Sequence, residues 1–335
     1  MKVITFHSPY ERAALVPAQG LPPFDADQIA AHAADVHLCA FTDNGEIRAH
    51  CSLWWKETPP FEAYRVGAIG HYAGADGDAA AVLLDAALSE LRENGCTLAV
   101  GPMDGNTWRR YRFVTDVGPA GRPEPAFFME PANPPEWPCQ FEHAGFTPLA
   151  AYYSALNSDL DQQDERINMI SARFESAGVS LRSARNTDLQ RQLRRIYEVS
   201  RVAFTRNFLY TELPEAAFIA QYNALINRIQ PELLLLAERG PDLVGYLFAV
   251  PDFAQAARGE AMETFIIKTV AILPEANLRG LGGLLVARAH QAGRKLGFRR
   301  AIHALMHEDN VSRNISRHYA VTMRRYTLFS RELAP

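Results

Sequence analysis

The apolar segments of this chain come in an order that repeats, and the repeat limits what the chain can fold into. From Val3 to Val100 the pattern reads strand, helix, two strands, strand, glycine-bearing loop, amphipathic helix and strand. From Val179 to Met306 the same order returns. In the first half Asp43-Asn44-Gly45 joins the strands His37–Thr42 and Glu46–Trp55, since Asn-Gly accepts the positive φ of a hairpin turn. In the second half Arg239-Gly240-Pro241-Asp242 separates Leu233–Glu238 from Val244–Val250. The stretches Leu83–Val100 and Leu284–Met306, about 200 residues apart, are the clearest matching pair. The polar run Asn157–Asp164 follows the apolar strand Ala150–Leu156 and divides the chain into 1–160 and 165–335. One continuous α/β core is the alternative, but 335 residues is large for a single core.

Composition excludes several classes. Hydrophobic residues make up 48% and charged residues 21%, which rules out wholesale disorder. No apolar run approaches the roughly 18 residues of a membrane helix, so no membrane partner is expected. Met1–Tyr10 has no apolar core of signal-peptide length, and a cytoplasmic protein is expected. Cysteines 39, 51, 96 and 139 are spaced too irregularly for a paired zinc motif, and no metal is expected. The net charge of −4 hides an asymmetry. Residues 1–165 carry 10 basic against 23 acidic side chains, and residues 166–335 carry 24 against 15. A basic half suits a polyanion, a phosphorylated cofactor or the acidic half of the same chain. No nucleic-acid recognition motif accompanies it.

The strongest chemical signal is Thr269–Leu285, T-V-A-I-L-P-E-A-N-L-R-G-L-G-G-L-L. An apolar strand stops at Pro274, and Arg279-Gly280-Leu281-Gly282-Gly283 opens a helix with Leu284, Leu285, Ala289 and Ala292 on its apolar face. Glycines let backbone amides converge, and a helix N-terminus adds free N–H groups, so the run suits a pyrophosphate. A dinucleotide fold would need a third glycine where Leu285 stands and a longer chain after it; a P-loop would need Gly-Lys-Ser/Thr.

The run resembles the acyl-CoA-binding motif of the GNAT acyltransferase superfamily, Gln/Arg-x-x-Gly-x-Gly/Ala between a strand and a helix. Asn277-Leu278-Arg279-Gly280-Leu281-Gly282 occupies that motif, with Asn277 departing at its first position. Later family elements follow in order: Gly297-Phe298-Arg299-Arg300, the strand Ala301–Met306, a helix from Asn310 to near Tyr319, and a strand over Arg325–Phe329. The resemblance covers roughly residues 178–335. It implies an α/β (α+β) fold of two GNAT-like domains, each a mixed, mostly antiparallel sheet flanked by helices, with a degenerate first copy. It implies acetyl-CoA as cosubstrate, held by Val270, Ala271 and Ile272 along the pantetheine arm and by Leu278, Arg279, Gly280, Leu281, Gly282 and Gly283 at the pyrophosphate. Asn310, the expected cap of the following helix, completes that set.

For catalysis the resemblance implies a tyrosine donor for the leaving thiolate. Tyr319 is the nearest match, nine residues after Asn310 where the family has about seven. Tyr326 is a weaker candidate. Lys268 stands where the family often has a glutamate base, and lysine is a poor base unless burial depresses its pKa. Glu263 and His303 are the alternative bases, and His307 and Glu308 lie at the strand-to-helix corner. In the first half the matching loop, Ala73–Asp78, lacks arginine and carries two carboxylates, which repel a pyrophosphate; Asp78 is expected to cap its helix. The stretches Gly101–Arg112 and Asn133–Pro138 are expected to line the acceptor side of a cleft between the halves, with an interdomain or dimer contact as the alternative for any single residue. The functional expectation is an N-acyltransferase acting on a small-molecule amine, with homodimerisation open. A non-catalytic coenzyme A-binding protein is the second class.

Overall fold

The computed structural model describes residues 1–13, 21–22, 25–118, 124–162, 165–185, 187–223, 225–309, 316 and 318–334. Asn310, most of the expected helix 310–319, Asn186 and the end of the run 157–164 lie outside the described residues. In the first half the strands are β1 (Lys2–Phe6), β2 (Val36–Phe41), β3 (Ile47–Trp54), β4 (Val66–Gly74), β5 (Leu98–Gly101), β6 (Phe113–Asp116) and β7 (Thr147–Asn157). The helices there are α1 (Pro9–Ala13), α2 (Ala26–Ala30), α3 (Gly77–Glu93) and α4 (Glu136–His143). The second half has strands β8 (Val179–Ser183), β9 (Leu234–Arg239), β10 (Asp242–Pro251), β11 (Thr264–Ile272), β12 (Arg300–His307) and β13 (Val321–Glu332). Its helices are α5 (Ile167–Ser176), α6 (Leu189–Ala203), α7 (Glu215–Asn223), α8 (Phe253–Ala257) and α9 (Leu281–Lys295).

All strands join one mixed sheet in the order β1-β2-β3-β4-β5-β13-β7-β12-β11-β10-β9-β8, with β6 beside β13. Among the described strands only β4–β5 and β11–β12 are parallel. These are the positions where a helix, α3 or α9, crosses over between the two strands, as parallel pairing requires. The last strand of each half pairs with the other half. β13 lies against β5, and β7 lies against β12.

Side-chain alternation sets the layers. Phe265 and Ile267 pack with α5 and α9, whereas Ile266 packs with α6 and α7. α9 presses so closely on β11 that a Cβ at Gly293 would meet the Phe265 ring at 2.4 Å. In the first half α3 buries Ala79, Ala80, Leu83, Leu84, Ala87, Leu88 and Leu91 against the sheet. Val82, expected on that apolar side, is exposed instead. The cap also differs from expectation: Asp76, not Asp78, accepts the Ala79 N–H at 2.8 Å and starts α3 two residues earlier.

Candidate functional site

In the second half the parallel pair comes apart. β11 and β12 pair only from Thr264↔Arg300 to Ile267↔His303. Beyond that point β11 pairs with β10 alone, and Lys268 is the extra residue of a bulge, because Phe248 faces Thr269 while Ala249 faces Ile267. β12 turns away through Leu305, whose φ is 61°, and its register with β7 breaks between His303 and Met306. Among the described residues, the β12-facing edge of Val270, Ala271 and Ile272 therefore has no strand partner. It can accept an extended chain as an added strand.

Immediately beyond that edge, Ala276–Leu278 forms a single tight turn and α9 begins. Gly280 takes φ 91°, and no side chain among the described residues caps the helix. Leu278 and Leu281 anchor the loop in the core, while Arg279 and Gly280 are exposed and Gly282 and Gly283 are half-buried. Arg173 of α5, an element that sequence reasoning missed, reaches the Arg279 carbonyl and brings a second guanidinium to the loop. Free N–H groups, no Cβ at two first-turn positions and two arginines make this end suited to a pyrophosphate. α3 of the first half is the contrast. Asp76 already occupies its N-terminus, bonds Arg48 at 2.7 Å and is held below the usual carboxylate range, first by the Ala79 N–H and then by Arg48.

The first-half opening is also filled. β4 and β5 pair over Val66–Ala68 only. Beyond, the Met103 N–H donates to the Ile69 carbonyl at 2.8 Å and the His71 N–H donates to Asp104 Oδ1 at 2.6 Å. A Cβ at Gly70 would lie 2.4 Å from the Met103 carbonyl. The chain's own segment Met103–Asp104 thus takes the edge that stays open on β11.

A cluster from both halves faces the bulge. Arg112 is 7% exposed and lies over the rings of Tyr111 and Tyr152 at 4.0 and 4.2 Å. Its Nε and Nη1 are buried and bond nothing among the described residues. Burial, and then the adjacent Arg112 cation, push the Lys268 ammonium down to about 8, against the pull of Glu130. Glu130 accepts from the Tyr326 hydroxyl at 2.5 Å and pairs with Arg324 at 2.9 Å. His307 packs edge-on to Tyr152, and burial lowers its pKa. A cavity of about 200 Å³, lined by Tyr153, Ala155, Glu308, Ser316, Thr322 and Arg325, lies on the other face of β7. Arg112 falls inside the stretch 101–112 that the sequence singled out, and Lys268 meets the burial condition stated for it. Glu130 carried no sequence signal, because a lone glutamate between Met129 and Pro131 reads as loop.

Of the candidate catalytic residues, His303, Tyr319 and Glu263 fall elsewhere, whereas Tyr326 and His307 belong to this cluster. His303 is buried, with Nδ1 2.8 Å from Ser316 Oγ and Nε2 3.0 Å from His290 Nε2, and burial drives its pKa to about 3. Tyr319 is 8% exposed and packs edge-on to His290 in the core beneath α9. Glu263 sits just before β11, at the closed end of the parallel pair, 3.5 Å from Arg299. Tyr326 is fully buried between Glu130 and Ser154. Trp108 lies between the halves, donating to the Thr211 carbonyl at 2.7 Å and packing on Phe204 and Phe218.

Residues 193–316 match the sequence model of the acetyltransferase (GNAT) family. The match falls entirely within the second half of the chain. No curated protein matches the chain. Solved structures show the fold of the whole. A GCN5-related N-acetyltransferase from Sphaerobacter thermophilus aligns at TM-score 0.51 and 14% identity, over 99% of this chain and 96% of that one. A tandem GNAT protein from the clavulanic acid biosynthesis pathway aligns at TM-score 0.51 and 12% identity, over 100% and 99%. A fungal multi-domain GH3 β-N-acetylglucosaminidase, described as having a GCN5-related glucosamine N-acetyltransferase region, aligns at TM-score 0.57 and 15% identity, over 98% of this chain but only 38% of that longer one. The fold is therefore a tandem of two GNAT-like halves. Family and fold support acyl-CoA-dependent acyl transfer in general. Among the described residues no helix is long and apolar enough to cross a membrane.

Proposed function

We propose that the chain is an acetyl-CoA-dependent N-acyltransferase acting on a small-molecule amine, with one cofactor site, in the second half. One observation carries this reading: the open β11 edge runs directly into an uncapped, glycine-lined helix N-terminus. Val270–Ile272 would bind the pantetheine arm through main-chain groups. Leu278–Gly283 would hold the pyrophosphate, with Arg279 and Arg173 supplying charge. The cosubstrate supplies an acyl group activated as a thioester. Lys268 stands at the bulge, and as the neutral amine it takes a proton from the acceptor ammonium before attack. Glu130, fixed by Tyr326 and Arg324, holds the charge balance around Lys268. The unbonded Arg112 nitrogens favour an acceptor that carries an anionic group as well as an amine.

The test is the thermal midpoint with increasing acetyl-CoA, for the wild type and Gly282→Trp, followed by thiol release with a panel of amines. Stabilisation that rises with cofactor and is lost in the variant supports the site. No rise at saturating cofactor would remove the reading. Stabilisation with no turnover of any amine would favour a binding or sensing role instead.

A further inference from the structure

We propose that the filled cleft of the first half is a divalent transition-metal site, zinc foremost, ligated by His32, His71 and Asp104. The three side chains come from three separate segments: the turn after α2, the bulged end of β4 and the loop after β5. His32 Nδ1 lies 2.7 Å from His71 Nε2, and His71 Nε2 lies 3.7 Å from Asp104 Oδ2. All three ligand atoms fall within 4.8 Å of one another. Ligands of a tetrahedral zinc, about 2.0–2.1 Å from the metal, stand roughly 3.3 Å apart. Entry of the ion would therefore part the two imidazole nitrogens by about 0.6 Å and draw the Asp104 carboxylate in, by about 0.4 Å toward His71 and by up to about 1.5 Å toward His32.

The surroundings are arranged as a metal site requires. His71 sits at φ 45° in the β4 bulge, a conformation that a non-glycine residue holds only when its neighbours impose it. Its N–H is tied to Asp104 Oδ1, which aims the other carboxylate oxygen toward the imidazole. Its Nδ1 lies 2.9 Å from Ser52 Oγ, and Ser52 Oγ lies 2.7 Å from His37 Nδ1. With Nδ1–H donating to Ser52, His71 turns the lone pair of Nε2 inward, the outer-shell arrangement that orients histidine ligands. The His32 carbonyl is fixed by Trp54 Nε1 at 2.9 Å and Arg109 Nη1 at 2.6 Å. Ion entry moves the His32 proton from Nδ1 to Nε2 and leaves both imidazoles neutral. Two nitrogens and one carboxylate select a borderline ion such as zinc over calcium or magnesium. The site would tie together the segments that close this cleft.

The test uses the full-length, tag-free chain, stripped with chelator and titrated with zinc chloride by calorimetry, with cobalt(II) absorption as the geometric readout. One zinc per chain, a tetrahedral cobalt spectrum and a zinc-dependent rise in thermal midpoint are expected. His71→Asn and His32→Ala should each weaken binding at least tenfold. His32 is half-buried on a turn, so its variant serves if the His71 variant fails to fold. No stoichiometric zinc in the wild type would overturn the proposal. So would wild-type affinity in a folded variant, which would assign the ion to another group such as the exposed Cys139.

Discussion

Lys268 and Arg112 are the residues on which the proposed chemistry turns, and each gives a measurable consequence. Burial lowers the Lys268 pKa to about 8, so below that pH the side chain is protonated and cannot take a proton. kcat/KM should therefore rise with pH, inflect near 8 and level off above it. Lys268→Met should lower kcat by about 10²–10⁴-fold and abolish that inflection, read in a pH–rate profile. An unchanged profile in the variant would assign the base elsewhere. Arg112 makes a different prediction. Replacing it with Met keeps much of the packing on Tyr111 and Tyr152 but removes two buried N–H donors. Acceptor KM should rise about tenfold or more, while stabilisation by acetyl-CoA stays the same. Amino acids tested beside their carboxamides would show whether the lost interaction is with a carboxylate. These roles were partly legible in the sequence. Lys268 stood at a family position, and Arg112 stood in a conspicuous stretch. Their convergence was not legible, because 156 residues separate them and only the folded sheet brings them together.

The two helix N-termini explain at the level of elements why one half is suited to the cofactor and the other is not. α9 opens with glycines and no cap, while α3 opens on Asp76. Asp76→Ala should destabilise the chain by about 1 kcal/mol in urea unfolding, the usual worth of an N-cap. The Asp76 carboxyl is held below its ordinary range, so its contribution is present above the unfolded-state pKa and fades as pH falls through the folded one. The destabilisation should therefore shrink in strongly acidic buffer, and a pH-independent difference would mean that the cap is not its source. The sequence placed this cap at Asp78, since Asp76 and Asp78 both precede the apolar run and propensity alone cannot separate them. The apolar period fixed α9, β10 and β11 to within a residue or two, because their inward faces are continuous. It missed α5, where Arg173 and Glu175 interrupt a short amphipathic pattern, and β6, which pairs only through β13. Asparagine and glycine at 44 and 45 marked the β2–β3 hairpin for a local reason, and Gly45 does adopt φ 81°.

Exchange of the closing strands makes the halves interdependent across the whole molecule. β12 needs β7, and β5 needs β13, so neither half closes its own sheet. The pattern of residues could not show this, because β7 and β13 are both apolar strands that either half could accept. The charge asymmetry has a partial explanation here. Arg300 pairs with Glu124 at 2.6 Å and Arg324 with Glu130, each joining the basic half to the acidic one. The Phe128 N–H adds a further link by donating to Asp252 Oδ1 at 2.8 Å. A fragment spanning 165–335 would expose the β12 edge that β7 covers and leave β13 without its partners β5 and β7. An open apolar edge of that kind pairs with other chains. Expressed alone, this fragment should be recovered as aggregate or as an oligomer by size exclusion. Co-expressed with 1–164, it should elute as a one-to-one complex that regains the acetyl-CoA-dependent thermal shift. A monomeric, cofactor-stabilised 165–335 would show that the second half can close its sheet without β7, and the exchange would then be a preference of the intact chain rather than a requirement of its fold.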